Sequence, residues 1–393
     1  MALTLTVPAG TFHLSGNPLW IKVEGAGAPA GSSSYKVLLK VTSVDGDLTG
    51  GPFVDGKAPA DGVAWFDVSG YVDQPIQKTF EWVMAGGLSP HTGDTLSVKF
   101  TPGESYIDAE NNLVESWGSD SEIHYVLKGG VGPRRLGYYH DQGSSFYTDF
   151  VTGGKFLTWM PASQTVSPFQ PVKLWLLAAS SGSADLHIKA FFEDNTVYDK
   201  VSSPVFYKDI LHEINCLPYH ADSVNMPPVK AGGIRMTHYQ VWVEGVTETR
   251  SFVIDHSYHE NNNFLLVMNS LGGVDVIWLS GEVVAGFETQ SVEAVRPFPM
   301  KGTIRERTVI LASRTGRRTW KINSGWKPKS EIEALSDALL SKQAWLLLEA
   351  GSYNAGTLVP VNVASGSTRL FGSVNDLQSV DIEMVEGHDS QYR

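Results

Sequence analysis

Apolar and polar residues alternate with a period of two over most of the first three quarters of the chain. The alternating stretches run from PLWIKVEG at residue 18 to VDVIWLSGE at residue 274, and the connections between them are rich in Gly, Ser, Pro and Asp. Successive side chains of a strand point to opposite faces, so this pattern predicts half-buried β-strands joined by turns. Charged residues make up 18% of the chain and aromatic residues 11%, which suits strands packed face to face better than exposed helices. The chain is predicted to be mainly β.

The length of the chain predicts several domains, because 393 residues are too many for one hydrophobic core. Six candidate strands indicate an N-terminal β-sandwich at 1–128, and a second strand series indicates a central β-sandwich at 138–300. Between them, the run Gly-Gly-Val-Gly-Pro-Arg-Arg combines Gly, Pro and charge and predicts a linker at 129–137. We therefore expect tandem β-sandwich domains followed by a small C-terminal α+β module at 301–393.

The C-terminal module differs in pattern from the rest of the chain. ERTVILASRTGRRTWKI predicts a hairpin that turns at residues 314–316. SEIEALSDALLSK places apolar residues on one helical face and starts with the capping-box pair Ser330 and Glu333, so it predicts the one helix of this module. Three further strands are predicted in QAWLLLEAG, LVPVNVAS and LQSVDIEMVEG.

Charge and cysteine content exclude several functions. A net charge of −12 argues against a nucleic-acid partner, because phosphate binding needs clustered Lys and Arg. No apolar run approaches the roughly 20 residues of a membrane span, so no membrane insertion is expected. Cys216 is the only cysteine, which excludes an internal disulfide and a multi-cysteine zinc site. The opening MALTLTVPAGTFHL lacks the pattern of a signal peptide, so we expect synthesis in a reducing cytoplasm.

Two histidines in DHSYHE, His256 and His259, are the residues that most resemble metal ligands. Their order, H-x-x-H-E, differs from the H-E-x-x-H pattern that places two ligands on one helical face. In a strand the two side chains point to opposite faces, so hydrogen-bonded histidines at a hairpin end are favoured over a metal site. The sequence contains no Walker lysine motif and no G-x-S-x-G motif. We therefore nominate no catalytic residue and no cofactor.

The tryptophans allow two interpretations, since aromatic side chains serve both as sugar-binding platforms and as core residues. Most of them, including Trp65, stand within alternating strands beside Val, Leu or Phe, and core packing is favoured there. Trp117 and the run Tyr138-Tyr139-His140 lie near predicted loops and are better candidates for surface aromatics.

The stretch NNNFLLVMNSLGGVDVIWLSGE, from residue 261, predicts a β-hairpin that serves as scaffold. FLLVM and VDVIWL are its strands, and the turn lies between Asn269 and Gly273. Gly272 and Gly273 can supply the positive φ that such a turn needs. Asp275 is expected to bond back to the amides of the loop, as short Asx side chains do.

This hairpin, with its N-S-L-G-G-V-D turn, resembles that of tail and baseplate proteins in phages and prophages of Bacteroidetes bacteria. Further similar parts are Asn17-Pro18-Leu19-Trp20, the F-D-V-S of residues 66–69, the segments at 156–161 and 170–175, and the C-terminal helix followed by L-V-P-V-N-V. The resemblance implies a structural component of the virion that has no catalytic residues and works in the tail after synthesis in the host cytoplasm.

A basic segment suggests how such a protein assembles. Between residues 301 and 329 nine basic residues accompany one acidic residue, on a chain that is acidic overall. We expect a ring or trimer formed with copies of itself and with other virion proteins, through contacts of Arg314, Arg317, Arg318 and Lys321. A solvated basic face is the simpler interpretation of the same residues. The alternative function is a receptor-binding virion tip or surface adhesin that binds host glycan. A more distant alternative is a polysaccharide depolymerase with a pair of carboxylates or a metal at His256 and His259.

Overall fold

The structure is a computed structural model that describes residues 3–44, 51–76, 87–91, 94–132, 136, 137, 139, 141, 144–208, 210–216, 229, 230, 232–295, 309–348, 357–364, 377–387 and 390–392. Within these residues the fold is mainly β, with the strands arranged in several sheets, which confirms the predicted fold class. The strand predicted at 78–86, the basic residues at 301–308 and the aromatic positions 82, 138 and 140 lie outside the described residues.

The strands in the first half of the chain are β1 (Thr4–Thr6), β2 (Phe12–Leu14), β3 (Trp20–Glu24), β4 (Ser33–Ser43), β5 (Phe53–Lys57), β6 (Val63–Asp67), β7 (Gly87–His91), β8 (Thr95–Ile107), β9 (Leu113–Trp117), β10 (His124–Leu127), β11 (Ser163–Val166), β12 (Val172–Leu177), β13 (Gly182–Ser183) and β14 (Leu186–Phe192). Those in the second half are β15 (Val197–Ser202), β16 (Val205–Phe206), β17 (Leu211–Cys216), β18 (Met236–Val243), β19 (Arg250–Ile254), β20 (Asn263–Met268), β21 (Val274–Leu279), β22 (Val283–Val295), β23 (Val309–Asn323), β24 (Lys327–Pro328), β25 (Ala344–Leu348), β26 (Thr357–Val363), β27 (Leu377–Gln378), β28 (Asp381–Glu386) and β29 (Ser390–Tyr392). The helical elements whose bounds are described are α1 (Ser69–Asp73), a π-helix (Tyr147–Thr152) and α2 (Lys329–Ala338).

The N-terminal strands form two sheets around one core. The sheet β1-β3-β6 and the sheet β2-β10-β8-β4-β5, with β9 paired to β8, both contribute to this core. Alternation sets the inward positions: Ile21 of β3, Leu39 of β4, Phe66 of β6 and Phe100 of β8 are all fully buried. The alternating sequence therefore produces a sandwich here, as predicted.

The central sandwich combines the sheet β11-β19-β18-β14-β15 with the sheet β12-β17-β7. Strand β7 comes from the region predicted as the N-terminal sandwich, yet it pairs with β17. Polar side chains of three strands meet there: His91 Nε2 lies 2.9 Å from Glu213 Oε2, and Glu213 Oε1 accepts a hydrogen bond from Lys173 of β12. Strand pairing thus crosses the boundary predicted at 129–137, and it gives the buried carboxylate of Glu213 a partner from β7.

The third sheet has the order β21-β20-β25-β26-β28-β23-β22, with β29 paired to β23. Its first members in the sequence, β20, β21 and β22, fall in the range predicted as the central sandwich. Leu265 and Ile277 nevertheless join Ile332 and Leu346 in the core of this sheet. The boundary predicted at 300/301 therefore does not coincide with the edge of a sheet, because β22 pairs with β23 along its whole length.

Helix α2 lies where a helix was predicted, but the capping box was wrong. The helix begins at Lys329, with Pro328 as its N-cap and no side-chain capping bond. Ser330 is therefore inside the first turn, and Glu333 lies 3.8 Å from Lys329 Nζ across one turn. Ile332 and Leu335 are fully buried, so packing against the sheet stabilises the helix.

A further core joins all three parts of the chain. It contains Leu127 from the N-terminal strands, Trp175 and Leu211 from the central sandwich, and Phe264 and Leu347 from the third sheet.

Beside this core the backbone of the predicted linker is packed tightly. Gly16 N donates to Gly129 O at 2.5 Å, and Gly130 N donates to Ser270 O at 2.7 Å. A Cβ atom at Gly129 would lie 2.5 Å from Ser270 O. Residues 129–132 thus form a packed junction, because glycine lets three backbone segments meet.

Candidate functional site

Strands β22 and β23 form a long antiparallel ribbon at one edge of the third sheet. Val283 lies opposite Ile322 at the base of the ribbon, and Val295 lies opposite Val309 at its far end. Thirteen residues of β22 span roughly 40 Å at about 3.3 Å per residue. Trp320 and Ile322 anchor the base in the core of the sheet. All residues from 284 to 293 are exposed, so this stretch of β22 lies in solvent.

The exposed strand carries large apolar side chains. Val284 is 52% exposed, Phe287 is 60% exposed and Val292 is 62% exposed. In the described part of the chain β22 also forms the edge of its sheet. Long exposed edges favour pairing with other chains, and proteins usually cover or shorten them. The ribbon therefore has the properties of a surface that another protein covers.

The hairpin predicted at 314–316 was wrong, since these residues lie in the middle of the continuous strand β23. The ring of Phe287 on β22 packs over Gly316 and leaves no room for a side chain at this position. An added Cβ atom would lie 2.3 Å from Phe287 Cζ. A glycine within a strand often marks such a close approach, not a turn.

The strand register separates the four predicted assembly residues onto two faces of the ribbon. Arg318 lies opposite Phe287 and Arg314 lies opposite Ser291, which places both arginines on the face that contains Phe287. We call Phe287, Arg314 and Arg318 the arginine face. Within the described residues neither of these two guanidinium groups forms an ion pair.

Arg317 and Lys321 lie on the opposite face of the ribbon, where acidic side chains are close. Lys321 Nζ lies 3.3 Å from Asp381 Oδ2 and 3.8 Å from Glu383 Oε1. Arg317 lies directly opposite Glu288 in the register. Positive charge on this face is therefore compensated within the chain.

The hairpin predicted at 261–282 is present as β20 and β21, which pair from Asn263–Leu279 to Met268–Val274. Gly272 has the expected positive φ, 85°, whereas Gly273 does not have a positive φ. The side chain that bonds to the loop amides is Asn269, not Asp275 as predicted. Asn269 Oδ1 accepts from Leu271 N at 3.1 Å and from Gly273 N at 3.0 Å.

Asp275 instead accepts a hydrogen bond from Asn269 Nδ2 at 3.0 Å. Burial raises the pKa of this carboxyl to about 6, and the charge of Asp337 adds to the shift. Asp337 itself accepts from Ser270 N at 2.8 Å. Two carboxylates thus secure the turn that meets the glycine junction, which gives this turn a structural role.

The two histidines considered as metal ligands, His256 and His259, form hydrogen bonds with different partners. His256 Nε2 lies 2.7 Å from Met236 O, and His259 Nε2 lies 3.1 Å from Asp255 Oδ2. Each imidazole therefore has its own hydrogen-bond partner. Neither histidine belongs to a group of three or more potential ligands among the described residues.

Two tryptophans share the outer face of the sheet β1-β3-β6. Trp65, predicted to pack in a core, is 51% exposed, and Trp20 is 47% exposed. Trp20 lies opposite Asp67, and Trp65 lies opposite Lys22. The two indoles are therefore diagonal neighbours on one face. Core packing was wrong for Trp65 because alternation alone does not say which face of a strand is buried.

The predictions for the other aromatic residues are confirmed at some positions and wrong at others. Trp175 and Trp278 are buried, as expected for core residues. Tyr139, expected at the surface, is buried in the shared core. Trp117 is partly exposed, with Lys40 Nζ 4.9 Å from its ring.

Comparison with known protein families and with curated proteins found no match. In the residues that the structure describes, no helix has both the length and the apolar character needed to cross a membrane.

Sequence reasoning missed one group of potential metal ligands: Asp185, His187 and Glu244. Asp185 and His187 are separated from Glu244 by more than 50 residues, and strand pairing brings them together. The order D-L-H before an alternating strand was the available signal, but it gave no indication of the third ligand.

Proposed function

We propose that the chain is a non-enzymatic structural subunit of a bacteriophage tail or baseplate. In this proposal it forms a ring or trimer with copies of itself and contacts other virion proteins. The observation that carries the proposal is the exposed ribbon, whose arginine face combines one large aromatic side chain with two positive charges. Aromatic and Arg side chains are the most frequent anchors of protein interfaces.

Charge favours a second copy of the chain as the partner. Strand β23 carries Arg314, Arg317, Arg318 and Lys321 and no acidic residue, whereas the whole chain has a net charge of −12. The arginine face of one copy would therefore meet an acidic surface of the next. Such a contact joins different surfaces of the two copies and produces a closed ring when the rotation allows it.

The packing of the chain also supports a structural role. The three parts of the chain share a core, and hydrogen bonds of the glycine junction join the N-terminal part to the turn between β20 and β21. A subunit that transmits force or holds a fixed angle needs this kind of connection, because flexible linkers allow domains to move independently.

The assembly is tested by light scattering of the purified chain across a salt series, together with two variants of adjacent residues. We expect Arg318→Glu to dissociate the oligomer and Arg317→Glu to leave it intact, because the same charge change falls on opposite faces of the ribbon. High salt should weaken the unmodified oligomer, since screening reduces attraction between exposed charges. A monomeric chain under all conditions, or equal effects of the two variants, would refute the proposed contact.

The tail assignment needs a separate test. Antibodies against the chain should label tailed particles induced from a lysogenic host. Their failure to label such particles would refute the location even if the ring exists.

A second function, glycan binding at a virion tip or cell surface, is favoured by Trp20 and Trp65. Two exposed indoles on one flat face, beside polar Lys22 and Asp67, can pack against the C–H groups of sugar rings. If this function is correct, Trp20→Ala and Trp65→Ala should each abolish binding to host polysaccharide. Trp326→Ala is the control, because Trp326 is more exposed than either and lies outside this face. Binding that is equally weakened by all three variants would exclude a specific site.

A further inference from the structure

Three potential metal ligands meet at one end of the central sandwich. His187 is the second residue of β14, Asp185 precedes that strand, and Glu244 follows β18. One ligand atom of each residue lies within 4.8 Å of those of the other two. Their backbones are joined as well, because Glu244 N donates to Asp185 O at 2.9 Å. The positions are therefore fixed by the sheet itself.

The imidazole of His187 is held in one orientation. Its ring stacks on that of Trp242 with a centroid distance of 4.6 Å and an interplanar angle of 2°. In this position Nε2 lies 3.6 Å from Glu244 Oε2 and Nδ1 lies 3.5 Å from Asp199 Oδ1. Among the described residues, buried Nδ1 has no partner at hydrogen-bond distance.

This arrangement matches a common pattern around metal-bound histidines. One ring nitrogen binds the metal, while the other donates its N–H to a carboxylate that fixes the tautomer. Here Nε2 faces Glu244, and Nδ1 faces Asp199. A slight shortening of the 3.5 Å distance between Nδ1 and Asp199 Oδ1 would bring the two atoms to hydrogen-bond distance.

We propose that Asp185, His187 and Glu244 bind a divalent transition metal ion of the Zn²⁺ class, with Asp199 as the outer partner of His187. One imidazole nitrogen and two carboxylates suit Zn²⁺, whereas Ca²⁺ and Mg²⁺ prefer oxygen ligands alone. Zinc bonds of about 2.0–2.2 Å require the ligand atoms to approach to roughly 3.5 Å. Glu244 is exposed and can make this movement.

The bound ion would connect the start of β14 to the end of β18 and leave a position open to solvent. Three protein ligands do not complete the four-coordinate shell of zinc, so water or a group from another molecule fills the remaining position. This proposal does not depend on the ribbon or on assembly.

The site is tested by calorimetric titration of the full chain with ZnCl₂, and by the visible absorption of bound Co²⁺. We expect one ion per chain, loss of binding in His187→Gln, and about 10–100-fold weaker binding in Asp199→Asn. The control is His238→Gln, since His238 also stacks on an aromatic ring of the same sheet, 4.3 Å from Phe191. Circular dichroism checks that each variant folds.

Two results would overturn the proposal. One is Zn²⁺ binding that is absent from the unmodified chain or unchanged in His187→Gln. The other is stronger binding of Ca²⁺ than of Zn²⁺, which would indicate an acidic site for hard cations in place of a histidine site.

Discussion

Gly129→Ala is the variant that best separates a packed junction from a flexible linker. The added Cβ atom would lie 2.5 Å from Ser270 O, while real contacts of this kind are about 1 Å longer. The backbone of one segment must move, which disturbs the bonds Gly16 N–Gly129 O and Gly130 N–Ser270 O. Overpacking costs about 1–3 kcal/mol, and each weakened hydrogen bond adds about 1 kcal/mol. We expect the free energy of unfolding to fall by about 3–5 kcal/mol.

Gly132→Ala is the matched control, because no atom of the described residues lies within 4 Å of a Cβ atom at Gly132. It should leave stability unchanged or raise it by a few tenths of a kcal/mol, since alanine restricts the unfolded chain. Urea denaturation followed by tryptophan fluorescence measures both variants. If Gly129→Ala and Gly132→Ala differ by less than about 0.5 kcal/mol, the junction does not hold the parts together.

Three further predictions concern other buried groups. Asn269→Ala should lower the free energy of unfolding by about 2–4 kcal/mol, because it removes the hydrogen-bond acceptor of two loop amides. Asn261→Ala is the control: it loses one 3.3 Å hydrogen bond at the other end of the hairpin and should lower the free energy of unfolding by less than about 1 kcal/mol in the same urea assay. Burial lowers the pKa of His13 to about 4, so the stability of the fold should decrease as the pH falls from about 6.5 towards 4. Burial raises the pKa of Asp275 to about 6, so this group should make the fold more stable as the pH falls from about 6 towards 4. His13→Gln and Asp275→Asn should therefore change the pH dependence of the melting temperature in opposite directions, and equal slopes in both variants would contradict this. Burial raises the pKa of Cys216 to about 12, so a thiol reagent should label it only when the chain unfolds; rapid labelling of the native chain would be inconsistent with its buried position.

Local pattern predicted many of the strands, although not β22, and it did not predict which strands pair. Alternation identified β3, β4 and β8, because a half-buried strand needs a period of two, whereas β20 is a continuous run that is buried at every position. Pairing between distant segments has no local signal, and this is why β7 was expected in the N-terminal sandwich and β20 in the central one. The linker predicted at 129–137 is packed at residues 129 and 130 for a related reason: glycine permits close backbone packing as readily as flexibility.

The candidate site was predictable only in part. Charge indicated that Arg314 and Arg318 were unusual, but the strand register was needed to separate them from Arg317 and Lys321. Gly316 suggested a turn because the packing of Phe287 over it depends on the neighbouring strand. Asp185, His187 and Glu244 are likewise brought together only by the pairing of β14 with β18.

Site-specific cross-linking tests the contact of the arginine face most directly. Ser291 lies on that face, opposite Arg314, whereas Gln290 lies on the other face, opposite Thr315. A cysteine introduced at either position can be labelled selectively with a photoactivated cross-linker, since Cys216 is buried. We expect Ser291→Cys to cross-link copies of the chain into a trimer or ring and Gln290→Cys to give far less product. Equal products from both positions, or none from Ser291→Cys, would contradict assembly through the arginine face.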